Sequence, residues 1–146
     1  MTNTDLQTTL PKWVWAAALL GLAWNIFGLY QFVTSLGADE ASLMAGGMTA
    51  EQAQVMLGYP MWMTIAFAIG VMGGTLGCLL MLARKSLAVP VFLASLLGYI
   101  ALWLGDAING VFAALGTPQV VILTTVVAIA AALWVLARRY GAALNR

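Results

Sequence analysis

Residues 60–85 read PMWMTIAFAIGVMGGTLGCLLMLARK. No residue between Pro60 and Arg84 carries a charge, and the run exceeds the ~20 apolar residues that a helix needs to cross a bilayer. Proline at the head of such a run loses no N–H that the helix would use, and the bases Arg84 and Lys85 close it. The stretch reads as a membrane-spanning helix.

The same punctuation recurs along the chain. Eleven of the 146 residues are charged, and residues 13–38, 52–83, 86–105 and 107–137 carry no charge. Each window has room for one span and none comfortably holds two. Pro11, Pro60, Pro90 and Pro118 each stand at the start of an apolar run. The expected fold is therefore all-α and integral to a membrane. We expect one domain over 1–146, a bundle of four transmembrane helices at about 12–35, 60–83, 88–108 and 118–138.

Composition agrees, with 63% hydrophobic and 8% charged residues, where a soluble domain carries about 25% charged. A chain this short cannot hide so much apolar surface in water. Soluble enzymes, nucleic-acid binders and disordered chains are excluded on that ground. The sequence has no histidine, the usual base near neutral pH and the commonest metal ligand. Its one cysteine, Cys78, closes no internal disulfide, supplies no zinc or iron–sulfur site, and reads as a small packing residue. No Ser–base pair, paired carboxylates, phosphate loop or basic groove is present, so neither catalysis nor a cofactor is expected.

Charge placement sets the expected orientation. With four spans, Lys12, Arg84, Lys85, Arg138, Arg139 and Arg146 fall on one side, and Asp39, Glu40 and Glu51 on the other. The positive-inside rule then places both termini in the cytoplasm, with Asp5 in the N-terminal tail. The N-terminal residues lack a basic leader pattern, so the first apolar segment reads as a retained anchor. Trp13, Trp15 and Trp134 sit near the inner boundary, and Tyr59, Trp62 and Trp103 near the outer one, as interfacial aromatics do. The long connection 36–59 lies outside. Thr49 and Gln52 have capping-box spacing there, which predicts a short interfacial helix from about residue 50 to 57 with Val55, Met56 and Leu57 on the membrane surface.

Three faces carry the remaining information. In span two, Ala66, Gly70, Gly73, Gly74 and Gly77 fall on one side of the helix and form GxxxG pairs, a helix-packing face used within the bundle or between subunits. Span one gathers Ala17, Gly21, Trp24, Asn25, Gly28 and Gln31, and span three aligns Ser95, Tyr99, Asp106 and Asn109. At about 1.5 Å per residue from the inner bases, Asn25 and Tyr99 share a height near 20 Å, and Gln31 and Asp106 one near 30 Å. Two polar rungs between spans one and three are expected, Asn25 with Tyr99 and Gln31 with Asp106, or else a polar lining made by the same four residues. Asp106 is the one acid associated with a span. It has three readings: a hydrated helix-end residue, an ion or substrate contact, or a salt bridge to a partner subunit.

The segments LAWNIFG at 22–28, MTAEQ at 48–52, AIGVMGGTLG at 68–77 and AVPVFLASLLG at 88–98 resemble a group of small bacterial four-span membrane proteins. Some of that group are labelled "sugar transporter". The resemblance runs from about residue 12 to 140 and implies a bacterial inner membrane. It assigns no functional residue. A four-helix bundle fills its own interior, so a solute path would have to run between copies. The primary expectation is a non-enzymatic accessory or assembly subunit acting through helix packing, embedded in lipid as a homo-oligomer or part of a larger membrane complex. The alternative is a small oligomeric transporter or channel for a polar solute such as a sugar or an ion.

Overall fold

The computed structural model describes residues 10–144, so Asp5 and Arg146 lie outside the described residues. The structure contains α1 (Lys12–Leu36), α2 (Glu40–Ala45), α3 (Ala50–Leu57), α4 (Met61–Leu82), α5 (Ala88–Ile108), α6 (Val111–Leu115), α7 (Thr117–Arg139) and α8 (Gly141–Leu144). Four of these, α1, α4, α5 and α7, are long and apolar enough to cross a membrane. Their limits lie within about one residue of the expected spans, each opening at or within two residues of a proline.

The centre of the bundle is the antiparallel pair α4 and α5, with α1 against α4 and α7 against α5; α1 and α7 touch only slightly. Small residues set how near the central pair come. A Cβ on Gly98 would stand 2.8 Å from the Ala66 carbonyl oxygen and 3.0 Å from the Gly70 nitrogen, so the two backbones meet there. In lipid, where water does not push helices together, such backbone proximity is a main source of association. Three core layers stack along the bundle. Val14, Met81, Phe92 and Leu133 fill the end that carries the bases, and Leu144 of α8 closes it from below. Val71, Leu96, Tyr99 and Ala130 fill the middle. Met63, Leu102, Val111 and Leu123 fill the far end.

The connections differ from the expectation. The loop between α1 and α4 holds two helices rather than one, and each has a reciprocal capping box: Asp39 with Ser42 on α2, and Thr49 with Gln52 on α3. Val55 and Met56 of α3 are half-buried against the far-end core, while Leu57 stays exposed. The short helix α6, between α5 and α7, was not expected. Gly110, left-handed at φ 77°, and Gly116, extended at positive φ of 78°, bound it with backbone conformations that favour glycine. The Gln52 side-chain amide donates to the Ala114 carbonyl at 3.1 Å, tying α3 to α6. Together, α3, α6 and the Tyr59 turn form a cap over one end of the bundle.

Candidate functional site

The polar groups of the interior fall into two clusters. The first lies under the cap. Asp106, in the last turn of α5, is completely buried. Its Oδ1 accepts from the Tyr59 hydroxyl at 2.5 Å and its Oδ2 from the Gln119 side-chain amide at 3.0 Å. Tyr59 stands two residues before α4 and Gln119 sits in the first turn of α7, so one carboxylate joins three helix ends. Burial, and then the neighbouring carboxylate, push the Tyr59 phenol far above its ordinary value, so it remains an O–H donor. Asn109 turns back on its own helix, its side-chain amide donating to the Gly105 carbonyl at 2.9 Å.

The second cluster lies in the middle of the bundle. Asn25 on α1 is buried and donates from its amide to the Gly21 carbonyl one turn back, at 2.8 Å. Its Oδ1 lies over Gly74, where a Cβ would collide with it. Ser95 on α5 donates to the Gly70 carbonyl at 2.6 Å, a direct bond between the central helices. The ring of Tyr99 crosses Gly70, and its hydroxyl lies 3.9 Å from where Gly28 would carry a Cβ. Among the described residues that hydroxyl makes no hydrogen bond. Asn25, Tyr99, Trp24, Gly74 and Ala130 surround a space too tight for a water molecule.

Neither expected rung forms. Asn25 and Tyr99 share the same layer without bonding, because Asn25 satisfies its amide on Gly21 while Tyr99 lies on Gly70. Gln31 is exposed, and both Asp106 oxygens are taken by Tyr59 and Gln119. Equal height along two helices fixes no direction around them, and the cap supplied donors that a four-helix reading omits. The hydrated reading of Asp106 is corrected for the same reason: α3, α6 and Tyr59 pack over its end of the bundle. Tyr59 is half-buried and spends its hydroxyl on Asp106. One signal for these donors was present in the sequence. Residues 59, 106 and 119 all fall at one end of their helices once four spans are drawn.

The glycine face of α4 turns inward, each position facing a particular neighbour. Gly70 lies under Tyr99, Gly73 beside Ser95, Gly74 under Asn25 and Gly77 under Phe92. Ala66 is buried in the far-end core. Cys78 is buried beside Gly21. Among the described residues, no group of three or more cysteine and acidic side chains is placed to hold a metal ion.

No protein family, curated protein or solved structure matches the chain.

Proposed function

We propose that this chain is an accessory or assembly subunit of the bacterial inner membrane, acting through helix packing and not through chemistry. The observation that carries the reading is the closed middle of the bundle. Asn25 and Ser95 bond to backbone of the same chain, and the space beside them is too tight for a water molecule. A single copy therefore offers no solute path through that layer. The surface it does offer is apolar and unevenly covered. Only 17% of the α1 span is buried, against 44% of the α5 span, and α1 turns Leu20, Phe27 and Tyr30 outward. Both termini lie in the cytoplasm in this reading, because the bases of the helix ends share one side.

The test is purification from native membranes in mild detergent, followed by native mass spectrometry. The expected result is a homo-oligomer or a stoichiometric partner. A chain that always runs alone as a monomer refutes the subunit reading.

Asp106 favours a second reading, an oligomeric transporter of an ion or polar solute. A fully buried carboxylate held by two uncharged donors is an expensive group to keep at the end of a membrane helix. Uptake into proteoliposomes decides between the two. Flux abolished by Asp106→Asn supports transport, whereas no flux of sugars or small ions by the wild type removes it.

A further inference from the structure

A groove of about 480 Å³ runs along the outside of the central pair, between α4 and α5. Ile69, Met72 and Leu76 form one wall, Leu87, Val91 and Ala94 the other, and Gly73 forms the floor. The missing side chain at Gly73 lets α5 approach there, with Ser95 3.0 Å from where a Cβ would be. From Ile65 to Leu76 the groove extends about 16 Å along α4. Its volume over that length corresponds to a section of about 30 Å², the scale of a single extended chain. One hydrocarbon chain fits such a section.

The charge at one end specifies what that chain belongs to. Leu87 lines the groove just before α5 begins, and two residues earlier Lys85 stands exposed in the turn between the helices. All the described bases of the molecule, Lys12, Arg84, Lys85, Arg138 and Arg139, lie at helix ends on this side of the bundle. A basic residue at the mouth of an apolar cleft between membrane helices is the arrangement that receives an anionic headgroup while its tail lies in the cleft.

We propose that the α4–α5 groove binds one acyl chain of an anionic phospholipid, whose phosphate is received by Lys85. The groove is then filled by ordered lipid, and it is not a contact for a second copy of the chain.

The experiment is native mass spectrometry of the full chain in mild detergent, equilibrated with phosphatidylglycerol and phosphatidylcholine of equal chain length. Wild type is expected to retain phosphatidylglycerol preferentially. Lys85→Gln should lower that preference about fivefold, the factor expected for one lysine near an anionic surface, without lowering total lipid retained. Ala94→Phe, at an exposed position that fills the groove, should lower retention of both lipids while helix content by circular dichroism stays unchanged. Equal retention of the two lipids by wild type overturns the proposal. So does a preference that survives Lys85→Gln, or a dimer that Ala94→Phe dissociates while lipid retention stays constant.

Discussion

Tyr99 occupies the space in which Gly70 would carry a side chain: a Cβ on Gly70 would stand 2.6 Å from the Tyr99 ring. The tyrosine is 4% exposed and sits in the middle core layer, so it has little room to withdraw. Gly70→Ala should therefore destabilise the bundle. Overpacking typically costs about 1–3 kcal/mol, which exceeds the gain of at most about 1 kcal/mol from alanine's better helix propensity. Gly37→Ala is the control, since nothing stands within 4 Å of its Cβ, and it should stay within about 0.5 kcal/mol of wild type. Reversible unfolding in mixed micelles measures both. Equal stability of the two variants would contradict the assignment of Gly70 to close packing.

Asn25 and Gly74 form a second matched pair across α1 and α4. Gly74→Ala drives a methyl into the Asn25 Oδ1 and should cost about 1–3 kcal/mol. Asn25→Ala alone removes an amide that donates to the Gly21 carbonyl and, at 4.0 Å, to the Cys78 sulfur. Polar contacts between membrane helices average only about 0.6 kcal/mol, so that loss is small. The double variant should be more stable than Gly74→Ala alone, giving a favourable coupling of at least about 0.5 kcal/mol in a double-mutant cycle. Strict additivity of the two single changes would show that the pair does not meet.

These pairs mark the limit of what the primary structure discloses. The four spans were legible because charge is costly in hydrocarbon and proline is tolerated in the first turn of a helix, rules that act residue by residue. The inward turn of Gly70, Gly74 and Gly77 was half legible: their common face followed from helical periodicity, but not whether it packed within the bundle or against another subunit. The partners of Asp106 were not legible. Tyr59 and Gln119 reach it from two other helix ends, and crossing angles and the folding of short loops leave no periodic trace. Gln31 is exposed on α1, so a shared height did not bring it to Asp106.

Asp106 should hold the cap by its two accepted hydrogen bonds. Asp106→Leu strands the Tyr59 hydroxyl and the Gln119 amide, and an unsatisfied buried donor costs about 1–3 kcal/mol. Asp106→Asn keeps the shape and one acceptor oxygen, so it should cost less. Hydrogen exchange over α3 reports the cap directly, because α3 packs over this end through Val55 and Met56. Faster exchange is expected in the order wild type, Asp106→Asn, Asp106→Leu. Unchanged α3 protection in Asp106→Leu would mean the cap is held by apolar packing alone.

The start of α2 carries a pH dependence of known sign. Asp39 Oδ1 accepts from the Ser42 backbone N–H at 2.8 Å, and that bond, followed by the one with the Ser42 side chain, holds the carboxyl below its ordinary 3.8. A carboxyl lowered in the folded state stabilises above its unfolded value and loses that contribution as pH falls through the folded one. The α2 cap should thus be intact at neutral pH and fray only below 3.8. The Ser42 amide resonance followed across an acid titration reads this out. A midpoint at or above 3.8 would contradict the cap.

Arg84 is the one non-glycine residue with positive φ among those described, at 60°. It follows the C-cap of α4, where its N–H reaches the Met81 carbonyl at 3.0 Å and the Lys85 N–H reaches the Leu80 carbonyl at 2.8 Å. That pair of bonds is the Schellman ending, which ordinarily places glycine where Arg84 stands. Its guanidinium meanwhile donates to the Ala143 carbonyl at 3.0 Å, fastening α8 against the basic end of the bundle. Backbone strain and side-chain tether therefore oppose each other at one residue, and two substitutions separate them. Arg84→Ala loses the tether and keeps the strain, whereas Arg84→Gly loses both. Left-handed geometry costs a non-glycine residue about 1–2 kcal/mol, so Arg84→Gly should unfold at higher denaturant than Arg84→Ala by about 1 kcal/mol, although both release α8. Proteolysis after residue 140 should accelerate equally in the two variants. If Arg84→Gly is no more stable than Arg84→Ala, the left-handed turn is not strained, and the side chain alone accounts for arginine at this position.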